Sequence, residues 1–167
     1  MSVVEVLSRD REIFLLSHFD LRIGDWEQIE EKSTAKERFF YSHEPSRDYF
    51  ERCSYVKKVA SWLLGSGWVI IRLDNSTFPL DDEAAIFKSI IRLDEDVDIH
   101  CDRSFLVGSS FFLAPQIQMV LLLSANAGWH IHLVSEGRGL GRRLSVLDGV
   151  FCFYGCQADV SIASELN

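Results

Sequence analysis

Between Ile117 and Tyr154 the chain alternates short apolar runs with turn-forming residues. The runs are Gln118–Ser124, Trp129–Ser135, Arg143–Leu147 and Val150–Tyr154, broken by Asn126-Ala127-Gly128, the glycine-rich stretch Gly137–Gly141 and Asp148-Gly149. Asp-Gly between two apolar runs is a strong hairpin signal, because both residues tolerate positive φ. The pattern predicts two consecutive β-hairpins. Residues 116–126 also fit a buried helix, since a leucine-rich run without polar alternation suits either structure.

Upstream the pattern turns helical and more charged. Over Pro45–Leu64, Tyr49, Cys53, Val56, Ala60 and Leu63 recur at spacings of four and three, which predicts an amphipathic helix stopped by Gly65 and Gly67. Trp68–Asp74 follows as a β-branched strand. Asp81–Leu93 predicts a second helix, with Asp81, Asp82 and Glu83 at its positive end and Ile86, Phe87, Ile90 and Ile91 on its buried face. Asp25–Phe40 reads as a peripheral helix with a thin apolar face of Trp26, Ile29 and Phe40. Met1–Asp20 fits strands or a helix capped at Ser8, Arg103–Phe112 reads as a strand interrupted at Gly108, and the small polar tail after Cys156 is expected to fray. Together these elements predict a single α+β domain over residues 1–167, without a separable linker. Its helices lie mainly in residues 25–93 and pack on a mostly antiparallel sheet formed chiefly by residues 103–155 plus the strand 68–74.

Composition narrows the class. At 167 residues with 47% hydrophobic content, the chain can bury roughly two thirds of its unfolded surface. No apolar stretch is long enough to span a bilayer. The first ten residues carry acid early and lack a basic start with an apolar core, so no secretory signal is read there. Cys53, Cys101, Cys152 and Cys156 are then expected to be reduced thiols, and a cytoplasmic location follows.

Charge is uneven. Of the net −8, residues 67–102 contribute nine acids against three bases, while residues 103–167 hold four of each. This argues against direct contact with nucleic-acid phosphates, which need basic surface, and favours a basic protein partner. The expected binding residues are Asp81, Asp82, Glu83, Asp94, Glu95, Asp96 and Asp98, with Trp68 or Phe78 as an aromatic anchor. The function expected from this profile is an acidic module that neutralises or chaperones a basic partner. In its most concrete form it is an immunity protein, the inhibitor of a toxic nuclease, whose phosphate-holding site is itself basic.

Motifs for chemistry are sparse, and neither a cofactor nor catalysis is expected. The alternative is a small metal-dependent or hydrolytic enzyme centred on His100, His130 and His132. His130 and His132 alternate along a strand and share a face, and with Cys101, Cys152 or Cys156 they have the donor types of a zinc site, but no Cys-x2-Cys pair supports one. His100-Cys101-Asp102 with His132 has the donors of an iron oxygenase without the barrel such sites need. Asp94, Asp96 and Asp98 fail as a calcium loop, because Ile99 stands where glycine is required and Phe105 where a glutamate is. Gly137–Arg143 is basic and glycine-rich but matches no nucleotide motif, and there is no Gly-x-Ser-x-Gly elbow.

Overall fold

The computed structural model of the chain describes residues 4–25, 28–32, 37–74, 81–97, 99, 103–108, 113–138 and 140–167. Its centre is an antiparallel sheet of seven strands: β1 (Val4–Val6), β4 (Phe39–His43), β5 (Val69–Leu73), β6 (Ser104–Val107), β7 (Ile131–Ser135), β8 (Arg142–Leu147) and β9 (Val150–Gly155). They lie in the order β1-β6-β5-β7-β8-β9-β4, while β2 (Leu21–Ile23) and β3 (Ile29–Glu31) form a separate hairpin. The helices are α1 (Arg9–Ser17), α2 (Tyr49–Leu63), α3 (Asp81–Ile91), α4 (Leu113–Ala127) and α5 (Gln157–Ser164). This is the expected α+β class.

Period-two alternation sorts the strands into two faces. On one, Val69, Ile71, Leu73, Phe105, Ile131, Leu133, Leu144, Val146, Phe151 and Phe153 pack with Val56, Val59, Ala60 and Leu63 of α2, Phe87 and Ile91 of α3, and Val120 and Leu121 of α4. Ring contacts knit it together: Phe87 meets Phe105 at 5.6 Å and Trp129 at 6.1 Å, and Trp62 meets Phe153 edge-on at 5.2 Å. Fully burying a Leu or Phe side chain contributes about 1.5–3 kcal/mol, so this layer supplies most of the driving force. On the other face α1 and the β2–β3 hairpin cover a smaller patch, in which Leu7, Leu16, Leu21 and Ile29 pack on Ile70 and Val134.

Several expectations hold. The β8–β9 hairpin turns at Asp148-Gly149, where both residues take positive φ (50° and 81°). The helix expected over Pro45–Leu64 starts at Tyr49, capped by Asp48, which accepts from the Glu51 N–H. Its expected stripe is half right. Val56, Ala60 and Leu63 are buried, but Tyr49 is exposed, and Tyr55, Val59 and Trp62 face the core instead. On α3, Phe87, Ile90 and Ile91 are buried while Ile86 is exposed. The N-terminal ambiguity resolves into both elements, a strand and then a helix capped by Ser8, whose hydroxyl accepts from Arg11 N–H.

Others fail for identifiable reasons. Residues 118–124 are not the first strand of a hairpin but lie inside α4, which buries Ile117, Val120, Leu121 and Ser124 at helical spacing against α2 and α3. Among its described residues Asp25–Phe40 forms strands where a helix was expected. Ile29–Glu31 pairs with Leu21–Ile23, and Phe39–His43 pairs with β9. Two arginines decide it, one far away in sequence and one in the same segment: Arg143 donates to Ile29 O and approaches Glu31 at 3.4 Å, and Arg38 also pairs with Glu31. The sheet thus draws on β1 and β4, beyond the residues expected to form it. The tail after Cys156 does not fray but forms α5, anchored by a buried aspartate.

Candidate functional site

Two sets of residues stand out from a fold otherwise explained by packing. The first is a polar row across the second face, buried except at Ser42 on the edge strand. Cross-strand register places Ser104, Arg72, His132, Ser145, Cys152 and Ser42 side by side on six successive strands. Arg72 is 0% exposed and donates to Glu12 of α1 at 2.8 Å and to Ser104 Oγ at 3.3 Å, while the Ser104 hydroxyl donates to the same carboxylate. A buried guanidinium is tolerated only when matched in this way.

Beside it lies His132. Its Nε2 meets Asp74 Oδ2 at 3.2 Å and its Nδ1 meets Ser145 Oγ at 2.7 Å. An ionised carboxylate only accepts, so Nε2 carries the ring proton and Nδ1 accepts from the serine hydroxyl. The three groups have the composition of a nucleophile–base–orienter chain with the ring nitrogens exchanged relative to the usual serine triad. Asp74, His132 and Ser145 are each below 9% exposed. Burial pushes the neighbouring Cys152 thiol up, against the opposing influence of Arg143. The same guanidinium sits 3.9 Å from the centroid of the Tyr154 ring, whose hydroxyl is also pushed up by burial.

The second set is the expected acidic surface. Asp82 is exposed in the first turn of α3, where the helix dipole favours it. Glu83 is half-buried and accepts from Trp129 Nε1 at 2.9 Å, so it holds a core indole in place. Asp94, Glu95 and Asp96 are exposed and form no ion pair among the described residues. Their loop has a defined shape. Arg92 adopts left-handed backbone (φ 59°), Leu93 N–H reaches back to Lys88 O at 2.9 Å, Val97 N–H closes a turn on Asp94 O, and Lys88 Nζ donates to Glu95 O. This is a helix end of Schellman type with an arginine where glycine is usual. Negative charge beyond a helix C-terminus gains nothing from the dipole.

The other expected residues are scattered. Trp68 packs on Phe19 at 5.5 Å with the second-face cluster, across the sheet from α3, and so does not anchor the same patch. Asp98, Phe78 and His100 lie outside the described residues, as does the side chain of Asp81. His130 and His132 are held by different carboxylates, His130 by Asp148 at 2.9 Å. Among the described residues no group of three or more His, Cys, Asp or Glu is arranged to hold a metal ion, and no helix is long and apolar enough to cross a membrane.

The glycine-rich segment does cradle an anion, one of the chain's own. Asp159 of α5, 0% exposed, accepts from Arg142 Nη2 at 2.8 Å, from Arg138 N–H at 2.9 Å and from Cys156 Sγ at 3.4 Å. Burial pushes this carboxyl up, but the three donors together hold it below its ordinary value. Gly137 has to be glycine, because a Cβ there would lie 2.8 Å from Asp159 Oδ2 and collide with Leu140 O. No motif pointed to Asp159, and only the basic glycine-rich run hinted that some anion belongs there.

No family model, curated protein or solved structure matches the chain.

Proposed function

We propose that the chain is an acidic binding module that neutralises or chaperones a basic protein, most concretely as the inhibitor of a toxic nuclease. The observation that carries this reading is the Asp94–Glu95–Asp96 turn: three exposed carboxylates, unpaired among the described residues, held in a fixed loop where the fold gains nothing from their charge. Internal pairing sharpens it. Arg38, Arg72, Arg142 and Arg143 are turned inward against Glu12, Glu31 and Asp159, so these seven groups leave only +1 and a net charge of −9 falls to the rest of the chain. A rigid acidic turn suits fast, salt-sensitive association with a phosphate-binding surface.

The test is co-purification from the native host at low salt, followed by titration of the recovered partner against Asp94→Lys/Asp96→Lys. A basic partner released in a narrow salt window, bound at least tenfold more weakly by the double variant, supports the reading. Absence of any basic partner at low salt removes it.

One observation favours a second reading, a hydrolytic enzyme centred on His132. The chain of hydrogen bonds from Asp74 through His132 to Ser145 provides a base and an orienter for a serine nucleophile. Labelling of Ser145 by a fluorophosphonate, lost in His132→Ala, supports it. A folded protein that stays unlabelled under prolonged exposure removes it.

A further inference from the structure

The Trp62 indole N–H joins α2 to α5 by donating to Asp159 O, and beside that bond the two helices border a cleft of about 550 Å³. Trp62, Ile162 and Leu166 give it a mostly apolar lining. Its rim follows from helical spacing: Ser54, Lys57, Lys58 and Ser61 recur at three- and four-residue intervals on the exposed side of α2, while Val56, Val59, Ala60 and Leu63 turn to the core. Small-molecule sites are concave, about 300–1000 Å³ in volume, and apolar with a few placed polar groups. The cleft matches that description.

Its charge has one sign. Among the described residues the charged groups lining it are the two lysines. The Lys57 ammonium forms no ion pair or hydrogen bond among the described residues. Lys58 donates to Leu166 O at 3.1 Å, and an ammonium has three donors, so it can hold a second acceptor as well. That contact already pairs an oxygen acceptor on the ammonium with an apolar side chain packed toward the core.

From this we infer that the cleft binds a small amphiphilic carboxylate, its head group at Lys57 and Lys58 and its acyl chain along Trp62 and Ile162. A cationic amphiphile would meet two like charges there and no counter-charge. The adjoining cavity of about 500 Å³, which shares Ser54, Lys58 and Leu166, holds Glu44 and Glu51 and so keeps an anionic head on the Lys57 side. The net charge of −8 does not oppose this, because at physiological salt screening acts over about 8 Å and the lining's own charges govern. The inference goes beyond the acidic-turn reading and does not depend on it.

The probe is decanoate, kept below its micelle concentration and titrated against the full chain by calorimetry and methyl NMR. The inference expects saturable one-to-one binding, methyl shifts centred on Ile162 and Leu166, and at least tenfold weaker binding of decylammonium. Lys57→Gln, which removes no contact of the fold, should bind decanoate at least threefold more weakly. Lys57→Gln/Lys58→Gln should also lose the preference over decylammonium. Ile162→Asp, at a side chain 37% exposed, should bind at least tenfold more weakly while keeping the wild-type far-UV circular dichroism. Four results would overturn the inference: no binding up to the micelle concentration, decylammonium binding as tightly as decanoate, methyl shifts at Ile13 or Ile86 with Ile162 unmoved, or sedimentation with phosphatidylglycerol vesicles by a chain that ignores monomeric decanoate, which would mark a bilayer surface as the ligand.

Discussion

The two faces of the central sheet are covered to different extents and built from opposite chemistry. One is sealed by α2, α3 and α4 over an unbroken apolar layer. The other, under α1 and the β2–β3 hairpin, has one apolar row through Ile70 and Val134 and beside it a row of serine, arginine, histidine and cysteine across six strands. The first face tolerates any side chains that fill the volume. The second tolerates only combinations in which every charge has its counterpart, because an unmatched buried ion costs several kcal/mol. Adjacent residues of one strand therefore obey different rules, as Ile71 and Arg72 do.

The comparison can be broken from either side. Phe105→Ala on the apolar face should cost about 3–5 kcal/mol in urea unfolding, with no single charge change able to restore it. Arg72→Met should cost about 3–5 kcal/mol for another reason, the buried Glu12 carboxylate left with only the Ser104 hydroxyl and an Arg9 guanidinium 3.9 Å away; adding Glu12→Gln should recover much of the loss. If the double variant is no more stable than Arg72→Met, the row is held by packing and not by charge matching.

Asp159 sharpens the comparison at the margin of the helix-covered face. Asp159→Asn should lose about 1–3 kcal/mol at pH 7. The folded carboxyl titrates below its ordinary value of 3.8, so its contribution is fully present above that pH and disappears as pH falls through the lower folded value. Wild type and variant should differ by a constant amount from pH 5 to 8 and converge only as pH falls below 3.8 and through the lower folded value; a gap that does not narrow at all with acid would show that the carboxylate's charge is not what stabilises. The smallest effect belongs to the exposed turn. Asp94→Lys/Asp96→Lys should shift folding stability by under about 0.5 kcal/mol, since nothing in the fold leans on those side chains.

Legibility in the sequence followed the same division. The β8–β9 hairpin, α2 and α3 could be read because each has a local signal: Asp148-Gly149 with positive φ, the four- and three-residue apolar spacing of α2 with glycines after it, and carboxylates at the start of α3. Strands β5 and β7 are buried at every position, so their alternation between apolar and polar faces carries no exposed-versus-buried signature. β3 was hidden because Glu30 and Glu31 suit a helix until Arg22, Arg38 and Arg143 are brought to them by the fold. The acidic turn was visible as a run of charge, but its separation from Trp68 depends on which face each element covers. Asp74, Ser145 and Tyr55 had no motif at all; strand register and helix packing alone assemble them.

The latch formed by α5 has a consequence for how the molecule is made. Synthesis proceeds from the N-terminus, so all seven strands leave the ribosome before Asp159 does. Until then Arg142, already aimed at the Trp62 carbonyl, lacks its counter-charge, and the Trp62 indole N–H lacks the Asp159 carbonyl that later accepts it at 2.9 Å. A chain that stops after β9 has every strand of the sheet and lacks both of the Asp159 groups that close this corner.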